Sequence, residues 1–205
     1  MSTFPTETEN LSYALGMNMA HYLKSQPVPV DPSVVLRGIA ETLADKPQLT
    51  NDEYAAAMQT MQSKMKAAGE AELARLKKVN AEEAAKFLLE NSGREGVQTT
   101  ASGLQYQVIE AGSGAKPTAA SKVKVNYTGT LLNGMVFDTT VNRGPAEFGV
   151  NQVIAGWQEG LQLMSVGSKF KFFIPPALGY GEHGAGQRIQ PNSLLIFEVE
   201  LLEIN

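Results

Sequence analysis

The stretch KVKVNYTGTLLNGMVFDTT, residues 122–140, decides the fold. Val123, Val125 and Tyr127 alternate with Lys122, Lys124 and Asn126, the period-two pattern of a strand with one buried face. Asn133-Gly134, set between Leu131-Leu132 and Met135-Val136-Phe137, predicts a two-residue hairpin turn, so the chain folds back antiparallel. Downstream, Phe170, Phe172 and Ile174 form a second period-two set, and Phe197, Val199 and Leu201 a third, alternating with Glu198, Glu200 and Leu202. Leu104 to Ile109 reads as a further strand. Ile154 to Met164 fits one short helix closed by Gly167. The expectation is an antiparallel sheet wrapped around a short helix, an α+β domain.

Upstream the chemistry changes. Residues 1–95 hold 14 alanines, 6 of the 8 methionines and 4 of the 19 glycines; residues 96–205 hold 15 glycines and 6 of the 8 phenylalanines. The first half therefore reads as helical. One helix is expected over Thr8 to Ser25, with Leu11, Leu15, Met19 and Tyr22 on one stripe. A second has Asp31 as N-cap and Pro32 at its first position, then Val35, Ile39 and Leu43. A third opens on the capping box Thr50-Asn51-Asp52-Glu53 and meets no proline before Gly93, the expected stop. Its length of about 40 residues spans about 60 Å. Two short helices cannot cover it. Its early face, Tyr54, Met58, Met61 and Met65, is expected to pack against a second copy of this half. Its later turns, bearing Leu73, Leu76, Phe87 and Leu88, are expected to act as a spacer. The organisation expected is an all-α dimerisation domain at residues 1–50, a long connecting helix at 51–92, and the β-rich domain at 96–205.

Composition narrows the function. The 17 basic and 21 acidic residues give a net charge of −4, which argues against nucleic acid as a partner. With no cysteine, thiolate chemistry is excluded, and two histidines, His21 and His183, cannot build a histidine cage. Neither a metal nor a cofactor is implied. No apolar run is long enough to span a membrane. The polar, acidic start, Met1 to Asn10, lacks the features of a secretion leader, so a cytoplasmic protein is expected, or a periplasmic one if a leader has been removed.

One motif misleads. Gly179 to Gly184 satisfies G-x-G-x-x-G, but Pro175-Pro176 precede it and no helix is expected to follow, so it reads as a glycine-rich loop bordering a site. His183 lies in that loop without a ligand-type partner. More telling is an aromatic set in the β half, Tyr127, Phe137, Phe148, Trp157, Tyr180 and Phe197, with the acid Asp138 directly after Phe137. As individuals these are core residues. As a group they carry polar handles that a plain core would have to satisfy, which describes an apolar pocket for a small ligand.

All of these but Phe148 lie within Val125-Asn126-Tyr127-Thr128-Gly129, Val136-Phe137-Asp138-Thr139-Thr140, Val153-Ile154-Ala155-Gly156-Trp157, Ala177-Leu178-Gly179-Tyr180-Gly181 and Leu195-Ile196-Phe197-Glu198-Val199-Glu200-Leu201. In order and spacing the runs resemble FKBP-type peptidyl-prolyl cis-trans isomerases over residues 96–205. The first half resembles, on segment order and lengths, the helical dimerisation domain of the macrophage-infectivity-potentiator branch of Gram-negative bacteria. The resemblance implies rotation of X–Pro bonds in peptides and unfolded proteins, chaperone-like binding by a V-shaped homodimer, and inhibition by macrolides such as tacrolimus and rapamycin. It implies a proline ring seated on Trp157, with Tyr127, Phe137, Phe148, Val153, Ile154 and Phe197 as walls. Tyr180 would offer its hydroxyl to a substrate carbonyl. Asp138 would order the polar side beside Tyr127, with Arg143 near that acid and Ile189 in the loop above. The catalytic set implied is Asp138, Tyr180, Phe137 and Tyr127. Ala146 and Ala185 depart from the bulkier residues of several relatives, which bears on macrolide affinity. The competing readings are a docking or chaperone module with this fold and no catalysis, and a structural dimer carrying the β half as cargo.

Overall fold

The computed structural model describes residues 4–205. Two compact units follow one another along the chain. Residues up to Glu72 form the first and Leu73 to Asn205 the second, so the boundary lies inside a helix, whereas the composition break falls at Glu95/Gly96.

The first unit holds α1 (Glu7–Ser25), α2 (Pro32–Leu43) and the opening turns of α3 (Asn51–Asn91). Each start is fixed by a side chain that satisfies orphan N–H groups. At α1, Thr6 Oγ1 accepts from the Glu9 N–H at 3.2 Å while the Glu9 carboxylate accepts from the Thr6 N–H at 3.1 Å, a capping box that the hydrophobic pattern did not reveal. At α2, Asp31 accepts from the Ser33 N–H at 2.8 Å and Pro32 fills the first position. At α3, Thr50 and Glu53 make the expected reciprocal pair at 3.3 and 2.9 Å. No residue of α1 or α2 is buried, and Leu11, Leu15 and Tyr22 are each more than 60% exposed.

The second unit is built on a seven-stranded antiparallel sheet: β1 (Val97–Thr99), β2 (Gln105–Glu110), β3 (Lys122–Leu131), β4 (Val136–Thr139), β5 (Ala146–Gly149), β6 (Lys169–Ile174) and β7 (Leu195–Ile204). Strand order is β1-β2-β6-β7-β3-β4, with β5 also paired to β3. Alternation in β7 turns Leu195, Phe197, Val199 and Leu201 into the core. β1 and β5 escape a sequence reading because each is too short to show a period. α4 (Ala155–Leu163) lies across the sheet, and its Gly156 and Gly160 let it approach closely. A Cβ there would sit 2.5 Å from Ile174 and 2.6 Å from Phe172.

Three local expectations need correction. The β3–β4 hairpin has a three-residue loop: the Gly134 N–H donates to the Leu131 carbonyl at 2.9 Å and the Leu131 N–H to the Met135 carbonyl at 3.0 Å. Only Gly134 there is left-handed (φ 81), which is the type of turn that ends in a glycine bulge. Gly93 is not the left-handed residue after α3; Gly96 is (φ 79), three residues later. Gly167 does not close α4, whose cap is the extended Met164.

The last turns of α3 are not a free spacer either. Within the second unit Ala84 and Asn91 are buried at 2% and 1% exposure, and the Phe87 ring lies 5.7 Å from that of Phe173. Asn91 Nδ2 donates to Gln105 Oε1 at 2.9 Å, and Gln105 Nε2 donates to the Leu88 carbonyl at 2.8 Å, locking the helix end to β2.

Candidate active site

A cavity of about 950 Å³ opens between the sheet, α4 and the loop leading into β7. Its floor is Trp157, carried by α4 and 4% exposed. Three rings stand edge-on to the indole: Tyr127 at 5.2 Å, Phe197 at 5.1 Å and Phe148 at 5.7 Å between centroids. Such edge contacts lock an aromatic cup beyond what buried area provides. Tyr127 and Phe197 come from the paired strands β3 and β7, and Phe148 from β5.

Phe137 reaches the cup through an irregularity. Gly129 pairs with Asp138 and Thr130 with Val136, which leaves Phe137 as the extra residue of a β-bulge. Its ring meets Phe197 edge-to-face at 5.3 Å. Gly129 provides the room, since a Cβ there would lie 2.6 Å from Phe197 and 2.7 Å from Phe137. Val153 and Ile154, just before α4, complete the walls, and Ile189, 8% exposed, closes the side beneath the loop.

The polar edge is a short chain of groups. The Tyr127 hydroxyl donates to Asp138 Oδ2 at 2.5 Å. Asp138 Oδ1 accepts from the Thr139 N–H at 2.9 Å and from the Arg143 guanidinium. Partial burial pushes the Asp138 carboxyl up, but the bonds from Tyr127, Arg143 and Thr139 outweigh it and hold the group below the usual carboxylate range. Burial, and then the hydrogen bond to Asp138, raise the Tyr127 phenol well above its ordinary value, so it stays a donor. The carboxylate is thus neutralised by the protein's own donors. Tyr180 stands at the rim, 40% exposed, its hydroxyl without a hydrogen-bond partner among the described residues.

Every aromatic and aliphatic residue singled out from the sequence lines this cavity. Arg143 does not; it acts on the cavity only through Asp138. Ala185 lines it, whereas Ala146 sits in β5 opposite Val125. Sequence reasoning missed Gln152, Gln187 and Arg188. Arg188 donates to the Phe137 carbonyl at 3.2 Å, across the mouth. No pattern marks these three, because polar residues in loops are the default. The G-x-G-x-x-G stretch forms short 3₁₀ turns and then a tight Ala185–Ile189 pairing, with no strand–helix unit around it. His183 is exposed within it. Among the described residues, no group of three or more His, Cys, Asp or Glu side chains could hold a metal ion, and no helix is long and apolar enough to cross a membrane.

Fold and cavity define an α+β domain whose sheet and single helix enclose an aromatic cup with one self-neutralised acid. The chain belongs to the FKBP-type peptidyl-prolyl cis-trans isomerase family: residues 113–202 match that isomerase domain, and residues 8–108 match the domain amino-terminal to it. It is an enzyme of that class. It is 45% identical to the FKBP-type peptidyl-prolyl cis-trans isomerase FkpA of Aeromonas hydrophila, over 96% of this chain and 76% of that protein. It is 37% identical to the outer membrane protein MIP of Legionella longbeachae, over 99% of this chain and 88% of that protein. The crystal structure of FkpA from Escherichia coli matches with a TM-score of 0.85 at 34% identity, covering 99% of both chains. The expectation of a cytoplasmic protein finds no support in these likenesses.

Proposed function

We propose that the cavity over Trp157 is where this isomerase rotates X–Pro bonds in peptides and unfolded proteins. The observation that carries the reading is an aromatic cup whose one carboxylate is already satisfied by Tyr127, Thr139 and Arg143, so that its floor and walls offer an apolar space, with the Arg188 guanidinium at the mouth. Rotation about a peptide bond costs about 18–20 kcal/mol because amide resonance must be broken. The twisted amide is less polar than the planar one, so an apolar cup that excludes water favours it. About 6 kcal/mol of such differential binding gives roughly 10⁴-fold acceleration. In this scheme Trp157 seats the proline ring, Phe137, Phe148, Phe197, Val153, Ile154 and Ile189 exclude water, and Tyr180 holds a substrate carbonyl. Asp138, oriented by Tyr127 and Arg143, fixes the polar side.

The same reading extends to the first unit. No residue of α1 or α2 is fully buried within this chain, and Tyr54 and Met58 of α3 are also left 59% and 43% exposed. A second copy of this unit is the occupant that such exposed apolar residues suit. A homodimer then presents two cups to one unfolded chain, and effective concentration raises its hold on protein substrates, a chaperone-like gain. Macrolides such as tacrolimus and rapamycin would compete for the cup.

The test is cis-to-trans relaxation of a Leu-Pro peptide with catalytic amounts of the full chain, with and without tacrolimus. Acceleration abolished by the macrolide is the expected result. Acceleration that saturating macrolide leaves untouched would overturn the placement in this cup.

A further inference from the structure

The loop that brings Ala185 and Ile189 to the cavity leaves at Gly181 and returns at Asn192. Its ends are tied to each other, the Asn192 N–H donating to the Gly181 carbonyl at 2.8 Å, and Ala185 and Ile189 pair across its tip. Within it Gly184 (φ 65) lies so close to the Ile189 carbonyl that no side chain fits there. A loop closed this tightly moves as a piece, so its anchor decides where the rim stands.

That anchor is α3. Asn80 Nδ2 donates to the Pro191 carbonyl at 2.7 Å, and Asn192 Nδ2 donates to the Lys77 carbonyl at 3.0 Å, both half-buried. Lys77 Nζ meets Glu182 Oε2 at 3.1 Å at the loop's other end. The ion pair is exposed and contributes little; the two amide contacts carry the tie. The helix can bear it because its own end is fixed by the Asn91–Gln105 and Gln105–Leu88 bonds.

We propose that Asn80 is a positioning residue of the isomerase site: through Pro191, and with Asn192 answering from the loop, it holds the rim over the cup without touching substrate. The proposal rests on the cup being the reaction site. Asn80 lies outside residues 113–202, which match the isomerase domain. An untethered rim spends only part of its time in the binding-competent place, and apparent affinity falls by that fraction while bound substrate turns over as before.

The test is Asn80→Asp in the full chain, a change of almost no size that replaces the donor with a carboxylate facing a carbonyl. KM for an X–Pro peptide is expected to rise about three- to tenfold with kcat within about twofold. Amide hydrogen exchange should quicken in residues 181–192 and stay unchanged in β3 and β7. Asn80→Gln, which keeps a donor on a longer arm, should restore much of the lost affinity. An unchanged KM in Asn80→Asp would overturn the proposal. So would faster exchange spread over the whole sheet, which marks a purely structural role. Phe137→Ala in the same assay separates the two claims: if it leaves turnover intact the cup is not the site, whereas the exchange pattern of Asn80→Asp still reports on the tether.

Discussion

Gly129→Ala offers the sharpest test of the cup, because it adds one methyl group to a strand that tolerates alanine and still strikes the site. The added carbon would lie 2.6 Å from Phe197 and 2.7 Å from Phe137. Carbon atoms settle at about 3.5–4.0 Å, so each ring must retreat by about 0.8 Å or more. Both rings line the cavity, so their displacement changes its shape. Overpacking of this kind costs about 1–3 kcal/mol of stability. The larger effect falls on catalysis, since a displacement near 1 Å costs on the order of 10²-fold. We expect kcat/KM on an X–Pro peptide to fall by about 10- to 100-fold, with urea unfolding showing that the variant is still folded. Gly134→Ala is the control. It has open space but a left-handed backbone (φ 81), so it should cost about 1–2 kcal/mol and leave the turnover of the folded protein unchanged. If Gly129→Ala keeps full turnover, or if both variants lose turnover only in step with their stability, the argument from ring displacement is wrong.

Phe137→Ala and Asp138→Leu should each lower peptide turnover strongly while far-ultraviolet circular dichroism stays that of the parent, and a folded, fully active variant would sink the site assignment. The folded-state carboxyl of Asp138 lies below the ordinary carboxylate value, so what its ionised network contributes is complete above that value and is lost as pH falls through the lowered one. Stability and turnover followed downward from pH 7 should therefore show an acid limb that shrinks in Asp138→Asn. A chain starting at Leu73 should keep peptide turnover but lose part of its advantage on a proline-limited refolding protein. A chain starting at Gly93 should in addition bind peptide more weakly, having lost Asn80, and equal KM values for the two would count against that.

Much of this was legible in the sequence because it rests on local rules. Period-two alternation placed β3, β6 and β7, and Asp31-Pro32 and Thr50 to Glu53 marked helix starts through hydrogen bonds that span three residues. Tyr127, Phe148 and Phe197 gathered as expected, since residues on one face of paired strands have nowhere else to point. What escaped depends on tertiary partners. The bulge at Phe137 and the one-residue shift of the Asn133-Gly134 turn are set by register against β3, to which an isolated hairpin is indifferent. The last turns of α3 read as a charged spacer because Asn91 looks unremarkable until β2 lies beside it. Asn80 and Asn192 are ordinary polar residues whose meaning comes only from the carbonyls they reach.

The chain has a single tryptophan, and it is the floor of the cavity. Light absorbed at the red edge of the protein band is therefore emitted from one place, ringed by Tyr127, Phe148 and Phe197. Any molecule that enters the cup changes the polarity above that indole, while a molecule that binds only to the first unit makes no contact with it. The protein is its own fluorescent probe of occupancy, and titrations can separate what the cup holds from what the helices hold without attaching a label to either.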